Sequence, residues 1–186
     1  MSSLAFAQET DWKLQKDAKG IKVYTRKVPG ETLKAFRAVT LVDASADQVL
    51  GEITDVEQGA EWMDRCAESH LVQQEGPDVY LAYTLIDVPW PLDDRDLVTR
   101  VQIRREKDRI ICTMSNVPDA VPVKRNVIRM PRYEGQWVLI PQDNGQTQVI
   151  SEGISSPGGT IPDWLANSEV VESPYNTLSN LRDRLE

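Results

Sequence analysis

The side chains best suited to acid–base chemistry in this sequence lie near its single histidine, His70. His70 follows Glu68 and Ser69 in a segment predicted to be a β-strand, where adjacent side chains point to opposite faces. Ser69 and His70 therefore do not form a nucleophile and base pair, and the sequence contains no serine hydrolase elbow, zinc protease motif or phosphate-binding loop. We interpret His70 as a structural residue, which leaves Tyr80 and Tyr83 as candidate proton donors to a bound chain.

The sequence predicts neither a metal site nor a cofactor. Its two cysteines, Cys66 and Cys112, lie far apart, with no C-x-x-C spacing and no neighbouring histidine. Cysteine usually packs as a small buried residue, so we predict two free thiols, with a disulfide as the alternative.

The charge of the chain argues against several classes of partner. The 186 residues carry a formal net charge of −8. This charge disfavours nucleic acid and strong adsorption to anionic membranes, because both interactions depend on clustered Lys and Arg. A locally basic segment at 123–132 is interpreted as a solvated strand face, with a patch that meets lipid head groups as the alternative.

The length and the hydrophobic content of 40% favour one monomeric globular domain, predicted at 12–186, that buries roughly 70% of its unfolded surface. Residues 1–11 precede it. Ala5-Phe6-Ala7 fits the A-x-A pattern of a signal peptidase site, but no basic region or full apolar core lies in front of it. Two origins stay open. A signal remnant, slightly favoured, implies a periplasmic or secreted protein, whereas a disordered N-terminus implies a cytoplasmic one. No segment approaches the roughly 20 apolar residues needed to cross a bilayer.

Hydrophobic patterns divide the domain into strands and helices. Strands are predicted at 12–15, 21–26, 33–42, 70–74, 79–86, 97–104, 109–115, 127–133, 136–140 and 148–153. Two short helices, at 46–54 behind an N-cap at Ser45 and at 57–62, follow the third strand. A long helix at 162–185 comes last, and Pro174 should kink it.

A rigid corner precedes the sixth of these strands. Pro89 and Pro91 flank Trp90, and because proline fixes φ and donates no backbone hydrogen bond, one strand must stop here and another begin. Arg95 and Asp96 follow, and the Arg95 guanidinium is close enough to cap carbonyls that the prolines leave unpaired. We interpret both residues mainly as architecture, because a charge that faces an apolar cavity is costly unless it is paired.

This order of elements predicts an α+β fold in which a curved antiparallel sheet wraps around the C-terminal helix. One helix is too small to fill the concave face, so an apolar cavity is expected between them, where small ligands usually bind. The apolar stripe of the helix consists of Val171, Tyr175, Leu178, Leu181 and Leu185.

Several short motifs occur in one order along the chain. They are Trp12-Lys13-Leu14, the segment 20–26, Trp62, the Pro-Trp-Pro corner with Arg95-Asp96, Gly135-Gln136-Trp137, and the segment 158–164 with Pro174. In these motifs the sequence resembles the START domain family (steroidogenic acute regulatory protein-related lipid transfer), as a compact bacterial-type member of the helix-grip, Bet v 1-like superfamily. The resemblance implies a lipid or sterol held between the sheet and the C-terminal helix, with no covalent chemistry.

Candidate ligand contacts are placed on both walls of the expected cavity and at its mouth. They are Trp62, Tyr83, Leu85, Trp90, Val101, Trp164, Leu165, Val171, Tyr175 and Leu178. Structural roles are assigned to the motif residues Arg95, Asp96, Gly158, Gly159, Pro162 and Pro174.

One position departs from the family pattern. Steroid-binding relatives carry a cavity arginine a few residues after the Arg-Asp motif, but the residue six positions after Arg95 is Val101. Arg100 is one residue away and should point to the other face of the strand. An apolar tail is therefore easier to place than a particular head group.

The hypothesis is a non-catalytic domain that binds an apolar small molecule such as a lipid, and carries or presents it through transient membrane contact. The alternatives are a polyketide cyclase or aromatase-like enzyme that uses tyrosine proton donors, and a ligand-sensing module for a protein partner. We expect the cavity to open by a movement of the last helix about Gly158 and Gly159, with Pro174 allowing its two halves to move separately.

Overall fold

A computed structural model describes residues 11–31 and 33–186, except for the Asp163 side chain. The predicted signal remnant or disordered N-terminus at 1–11 lies outside the described residues, apart from Asp11.

Ten strands and three α-helices make up the described part of the chain. The strands are β1 Lys13–Ala18, β2 Ile21–Arg26, β3 Ala35–Val42, β4 Cys66–Gly76, β5 Val79–Ile86, β6 Asp94–Arg105, β7 Ile110–Asn116, β8 Val127–Arg129, β9 Arg132–Pro141 and β10 Thr147–Ser156. The helices are α1 Ala46–Thr54, α2 Gly59–Trp62 and α3 Asp163–Leu185, and a 3-10 helix at Val56–Gln58 precedes α2.

The strands form one sheet in the order β1-β2-β3-β10-β9-β7-β6-β5-β4, with β8 paired to β6. Neighbours along this order are antiparallel, and only the β6 and β8 pair is parallel among the described strands. Helix α3 packs on β2 and β3. The predicted α+β fold, a large antiparallel sheet with a long C-terminal helix, is confirmed.

Local sequence accounts for several element boundaries. Ser45 caps α1 as predicted: its hydroxyl accepts the Gln48 N–H, and the Gln48 side chain accepts the Ser45 N–H. In β2 the alternating residues Ile21 and Val23 are buried, as expected for a strand that packs one face on a core.

The predicted strands at 21–26 and 79–86 have the observed bounds, and the others differ by one to four residues at one end or both. Three of these differences have a local cause. β6 begins at Asp94, so Arg95 and Asp96 lie inside the strand and not in front of it. The strand predicted at 127–133 is two strands, because Pro131 between β8 and β9 has no N–H to donate to a ladder. β4 is longer than 70–74, because it is an edge strand in which three register shifts against β5 interrupt the alternation.

The main hydrophobic core lies between the sheet and the three helices. Its fully buried members include Ile21, Val23, Val42, Val49, Leu139, Val149, Leu178 and Leu181. A smaller cluster of Tyr80, Ala82 and Val101 joins β5 to β6. Neither cluster fills the part of the sheet that faces the first half of α3, and a cavity remains there.

Candidate functional site

A cavity of about 330 Å³ lies between the sheet and α3. This volume is near the lower end of the range for small-molecule sites. The apolar lining residues are Leu33, Phe36, Met63, Ile86, Val88, Pro89, Leu97, Met114, Met130, Trp137, Pro157, Ile161, Leu165, Ala166, Val170 and Pro174. The polar lining residues are Lys34, Asp64, Arg65, Cys66, Thr84, Asp87, Arg95, Thr99, Tyr133, Ser151, Ser155, Glu169, Ser173 and Thr177.

Strand alternation builds the sheet wall of the cavity. Thr84 and Ile86 of β5 line it, and they pair across the sheet with Leu97 and Arg95 of β6, which also line it. Residues one position away point to the opposite face of the sheet. A polar group also reaches this wall from β9, where burial raises the pKa of Tyr133 to about 12 and keeps its phenol protonated.

Helix α3 presents two separate stripes. Leu165, Glu169, Ser173 and Thr177 recur every four residues and line the cavity, whereas Leu178 belongs to the packed core. The cavity stripe is less apolar than the core stripe, since it includes Glu169, Ser173 and Thr177. The cavity wall is therefore a different stripe from the apolar one found in the sequence.

Arg95 and Asp96 are neighbours in β6 and point to opposite faces. Arg95 lines the cavity, is 2% exposed, and donates hydrogen bonds to the carbonyls of Asp93 and Gly158. Asp96 accepts a bidentate pair from Arg129, with Nε to Oδ1 at 2.7 Å and Nη2 to Oδ2 at 3.0 Å. Arg95 thus caps carbonyls, as the sequence suggested, although one of them belongs to the distant Gly158.

Arg129 was not singled out in the sequence. The only available signal was a cation in the otherwise apolar run Val127-Ile128-Arg129-Met130. Asp96 holds the pKa of the Arg129 guanidinium above its ordinary value, and Arg129 also donates to the carbonyls of Pro118 and Val121. The pair fixes the loop between β7 and β8 against β6.

A second ion pair joins the segment after α2 to α3 beside the cavity. Arg65 donates to Glu169 through Nε at 2.8 Å and Nη2 at 3.0 Å, and both residues line the cavity. Glu169 raises the pKa of Arg65. The Asp64 N–H donates to Thr177 Oγ1 at 3.1 Å, so two contacts hold this segment to α3. The two partners of the ion pair are 104 positions apart, and no local pattern links them.

The structure places the ten predicted ligand contacts in four environments. Leu165 lines the cavity. Trp62, Val101, Val171, Tyr175 and Leu178 belong to the packed clusters or lie against them. Trp90 and Trp164 are 91% and 74% exposed. Tyr83 and Leu85 lie on β5 at positions that alternate with the lining residues Thr84 and Ile86, and so face away from the cavity.

The two candidate proton donors are also outside the cavity lining. Tyr83 is buried and stacks on His70, with ring centroids 4.8 Å apart, and Lys124 Nζ lies 4.4 Å from the Tyr83 ring centroid. Tyr80 belongs to the small core cluster, where burial raises its pKa. Neither phenol is placed to protonate a molecule in this cavity.

The glycine and proline residues of the motifs lie at positions where they shape the backbone before and within α3. Gly158 and Gly159 both adopt left-handed backbone angles, with φ of +66° and +61°, and a Cβ on Gly159 would lie 2.9 Å from Ile128 Cδ1. Pro162 is the N-cap residue of α3, and Pro174 lies inside the helix and lines the cavity.

The predicted solvated faces are found only in part, because the Arg129 side chain of the basic segment is buried against Asp96 and residues 123–126 are not in a strand. Arg100 pairs with Glu75 at 2.8 Å, while Val101 beside it is buried, so the two point to opposite faces as alternation predicts. In the basic segment, Lys124 pairs with Glu68 at 2.7 Å and Arg132 pairs with Glu134 at 2.9 Å. Much of the positive charge of this segment is therefore matched within the protein.

Cys66 and Cys112 are free thiols, and burial raises the pKa of each to about 11. Within the described ranges, no group of three or more His, Cys, Asp or Glu residues is arranged to hold a metal ion. Among the helices of those ranges, none is both long and apolar enough to span a membrane.

Comparison with known proteins gives consistent matches. The START domain family model matches residues 1–186. An uncharacterized protein of Pseudomonas aeruginosa is 41% identical over 177 residues, which cover 95% of this chain and 87% of that protein. The phosphatidylcholine transfer protein of Mus musculus is 26% identical over 177 residues, 92% of this chain and 82% of that protein. The crystal structure of a STAR-related lipid transfer protein fragment from Xanthomonas axonopodis matches with a TM-score of 0.88 at 38% identity, and covers 94% of this chain and 98% of that one.

Proposed function

The chain belongs to the START domain family, and we propose on this basis that it binds a lipid or similar apolar small molecule between the sheet and α3 and exchanges it with membranes. The observation that carries the proposal is the cavity of about 330 Å³, whose walls are mainly apolar side chains. Apolar surface of this kind favours an apolar ligand, because binding removes both surfaces from water.

The cavity volume restricts the ligand. At about 330 Å³ it suits one acyl chain or a compact ring system better than a lipid with two long chains. A lipid with two long chains requires α3 to move outward.

The contacts of α3 suggest how the cavity opens. The first half of the helix is held by the Arg65 to Glu169 ion pair, and the segment before it by the Arg95 hydrogen bond to the Gly158 carbonyl at 3.4 Å. Pro174 has no N–H to donate to the carbonyl of residue 170, so one helical hydrogen bond is missing near the middle of α3. The helix is therefore weaker at this point, which lies beside the cavity. We expect the N-terminal half of α3 to swing about Gly158 and Gly159 while the second half stays in the core.

Two exposed tryptophans mark the surface that should meet the membrane. Trp90 follows the lining residues Val88 and Pro89, and Trp164 lies directly before the lining residue Leu165. Tryptophan partitions into the membrane interface because it combines a large apolar ring with one polar N–H. The net charge of −8 favours a zwitterionic over an anionic bilayer.

Native mass spectrometry tests the binding step. The purified protein is sprayed intact, and the molecules released by organic extraction are identified. We expect a stoichiometric adduct with an acyl chain or a polycyclic skeleton. A protein that carries no adduct and transfers no fluorescent lipid between phosphatidylcholine vesicles would contradict the proposal.

The membrane surface is tested with a double variant, Trp90→Ala with Trp164→Ala. Transfer between phosphatidylcholine vesicles should fall by about tenfold or more, because two large apolar side chains no longer enter the interface. Leu41→Ala is the matched control, since Leu41 is an exposed apolar residue that does not line the cavity. Equal transfer rates for both variants would place the docking surface elsewhere.

A further inference from the structure

We infer that the ligand of this cavity carries an anionic oxygen group, a carboxylate or a phosphate, and that Arg95 binds it. This inference rests on the function proposed above and narrows its ligand class to anionic amphiphiles.

Arg95 is an uncompensated buried cation. It is 2% exposed and lines the cavity. Burial lowers the pKa of its guanidinium, and this effect exceeds the opposing attraction of Asp93 and Asp94. A buried charge is costly unless an opposite charge and full hydrogen bonding accompany it.

No carboxylate pairs with Arg95 among the described residues. Asp96, its neighbour in β6, points to the other face and is held by Arg129. The Asp94 carboxylate accepts the Val88 N–H at 3.1 Å and so is engaged at the corner. The described side chains therefore supply no ion-pair partner for Arg95 on the cavity side of β6.

The open side of the guanidinium is the one that binds carboxylates. Arg65 and Arg129 each use Nε together with Nη2 to hold a carboxylate in a bidentate pair. In Arg95 the Nε atom is buried without an acceptor, and Nη2 has only the Gly158 carbonyl at 3.4 Å, near the limit of a hydrogen bond. An oxyanion with two acceptor atoms satisfies this edge and displaces the distant carbonyl.

The surroundings of Arg95 complete a site for an amphiphile. Leu97 lies two positions along the same face of β6, and Met130 and Ile161 also line the cavity. An anionic group at Arg95 thus leaves an attached apolar chain in contact with the apolar walls. A free fatty acid and a lipid phosphate both fit this description, because each carries an anionic oxygen group on an apolar chain.

The test compares probes with one tail and different heads on the full chain after delipidation. Myristate, tetradecyl phosphate and tetradecanol are titrated by isothermal calorimetry, with acetate and inorganic phosphate as anions without a tail. We expect at least one anionic amphiphile to bind about tenfold or more tightly than tetradecanol, since hydrogen bonds to charged groups are the strong ones. Acetate and inorganic phosphate should bind at least a hundredfold more weakly than the matching amphiphile. A preference for myristate or for tetradecyl phosphate identifies the source of the anion.

Variants assign the preference to Arg95. Arg95→Met should remove the preference and leave tetradecanol binding within about threefold, and Arg95→Lys should retain part of it, because lysine keeps the charge without the planar fork. Arg100→Met, on the same strand but facing away from the cavity, should keep the full preference. If the Arg95 variants fail to fold, the ratio of anionic-amphiphile to tetradecanol affinity in the unaltered protein decides whether the cavity binds an anion.

Three results overturn the inference in distinguishable ways. Tetradecanol binding as tightly as both anionic probes would refute the anion site and leave the apolar-ligand function intact. No binding of any tailed probe would refute both. Retention of the preference in Arg95→Met would also refute the role of Arg95.

Discussion

Asp96→Asn is expected to lower the free energy of unfolding by about 3 kcal/mol, because it removes the charge of one member of a buried ion pair. The Asp96 and Arg129 side chains are 0% and 8% exposed, and their atoms meet at 2.7 and 3.0 Å. Without the carboxylate, the Arg129 guanidinium keeps its charge but faces only neutral acceptors, which are the asparagine oxygen and backbone carbonyls such as that of Val121 at 3.1 Å.

The magnitude follows from this geometry. Breaking a buried pair by removing one partner costs about 3–5 kcal/mol. We take the lower value, because the asparagine oxygen still accepts one hydrogen bond. For a chain of this size, each kcal/mol corresponds to about 2–4 °C in Tm, so the expected decrease in Tm is about 6–12 °C.

Differential scanning calorimetry and urea unfolding measure the effect, with Asp78→Asn as the matched control. Asp78 pairs with Arg105 at 3.0 Å, but both side chains are about half exposed, so its removal should cost at most about 1 kcal/mol. Replacing both buried partners, by Asp96→Leu with Arg129→Met, should restore part of the stability lost in Asp96→Asn. If Asp96→Asn and Asp78→Asn unfold at the same temperature, the buried pair does not stabilise the fold as argued.

Two further predictions concern the cavity. Glu169→Gln removes the ion pair with Arg65. Because both side chains are about one-third exposed, the closed position of α3 should lose about 0.5–1 kcal/mol of stabilisation, and ligand release to vesicles should be roughly two- to fivefold faster. Glu172→Gln, which breaks an ion pair of α3 outside the cavity lining, should not change the release rate, and equal rates in the two variants would exclude this latch. Cys66 and Cys112, each with a pKa raised to about 11 by burial, should be alkylated slowly at pH 8 and about tenfold faster with each pH unit up to 11. Mass spectrometry measures the extent of labelling, and bound ligand should protect only Cys66, which lines the cavity. Rapid labelling of the folded protein at pH 8 would contradict the burial of these thiols.

Local signals in the sequence predicted the architecture. The capping residue Ser45, the Pro-Trp-Pro corner and the glycine pair before α3 each depend on backbone geometry that neighbouring residues dictate. The predicted bounds were wrong where a local pattern was weak, as in the edge strand β4, where register shifts against β5 interrupt the alternation. The motifs that carry the START resemblance are of the same local kind.

Most of the residues that line the cavity could not be predicted from alternation or helical periodicity. Both patterns show which residues share a face, but they do not show which face meets the cavity and which meets the core. The most apolar stripe of α3, with Leu178, packs in the core, while the mixed stripe with Leu165 and Glu169 lines the cavity. On β5 Thr84 lines the cavity and Tyr83 does not, although the strand pattern gave no reason to prefer one over the other.

The sequence alone determined the order of the strands and helices, the corner before Arg95, and the acidic charge that disfavours nucleic acid. These properties follow from neighbouring residues or from composition. Only the tertiary structure decided that Asp96 is neutralised by Arg129, that Arg65 holds Glu169, and that Arg95 faces the cavity without a carboxylate partner among the described side chains. Such pairings form when the sheet brings together residues far apart in the chain, and no local preference specifies them.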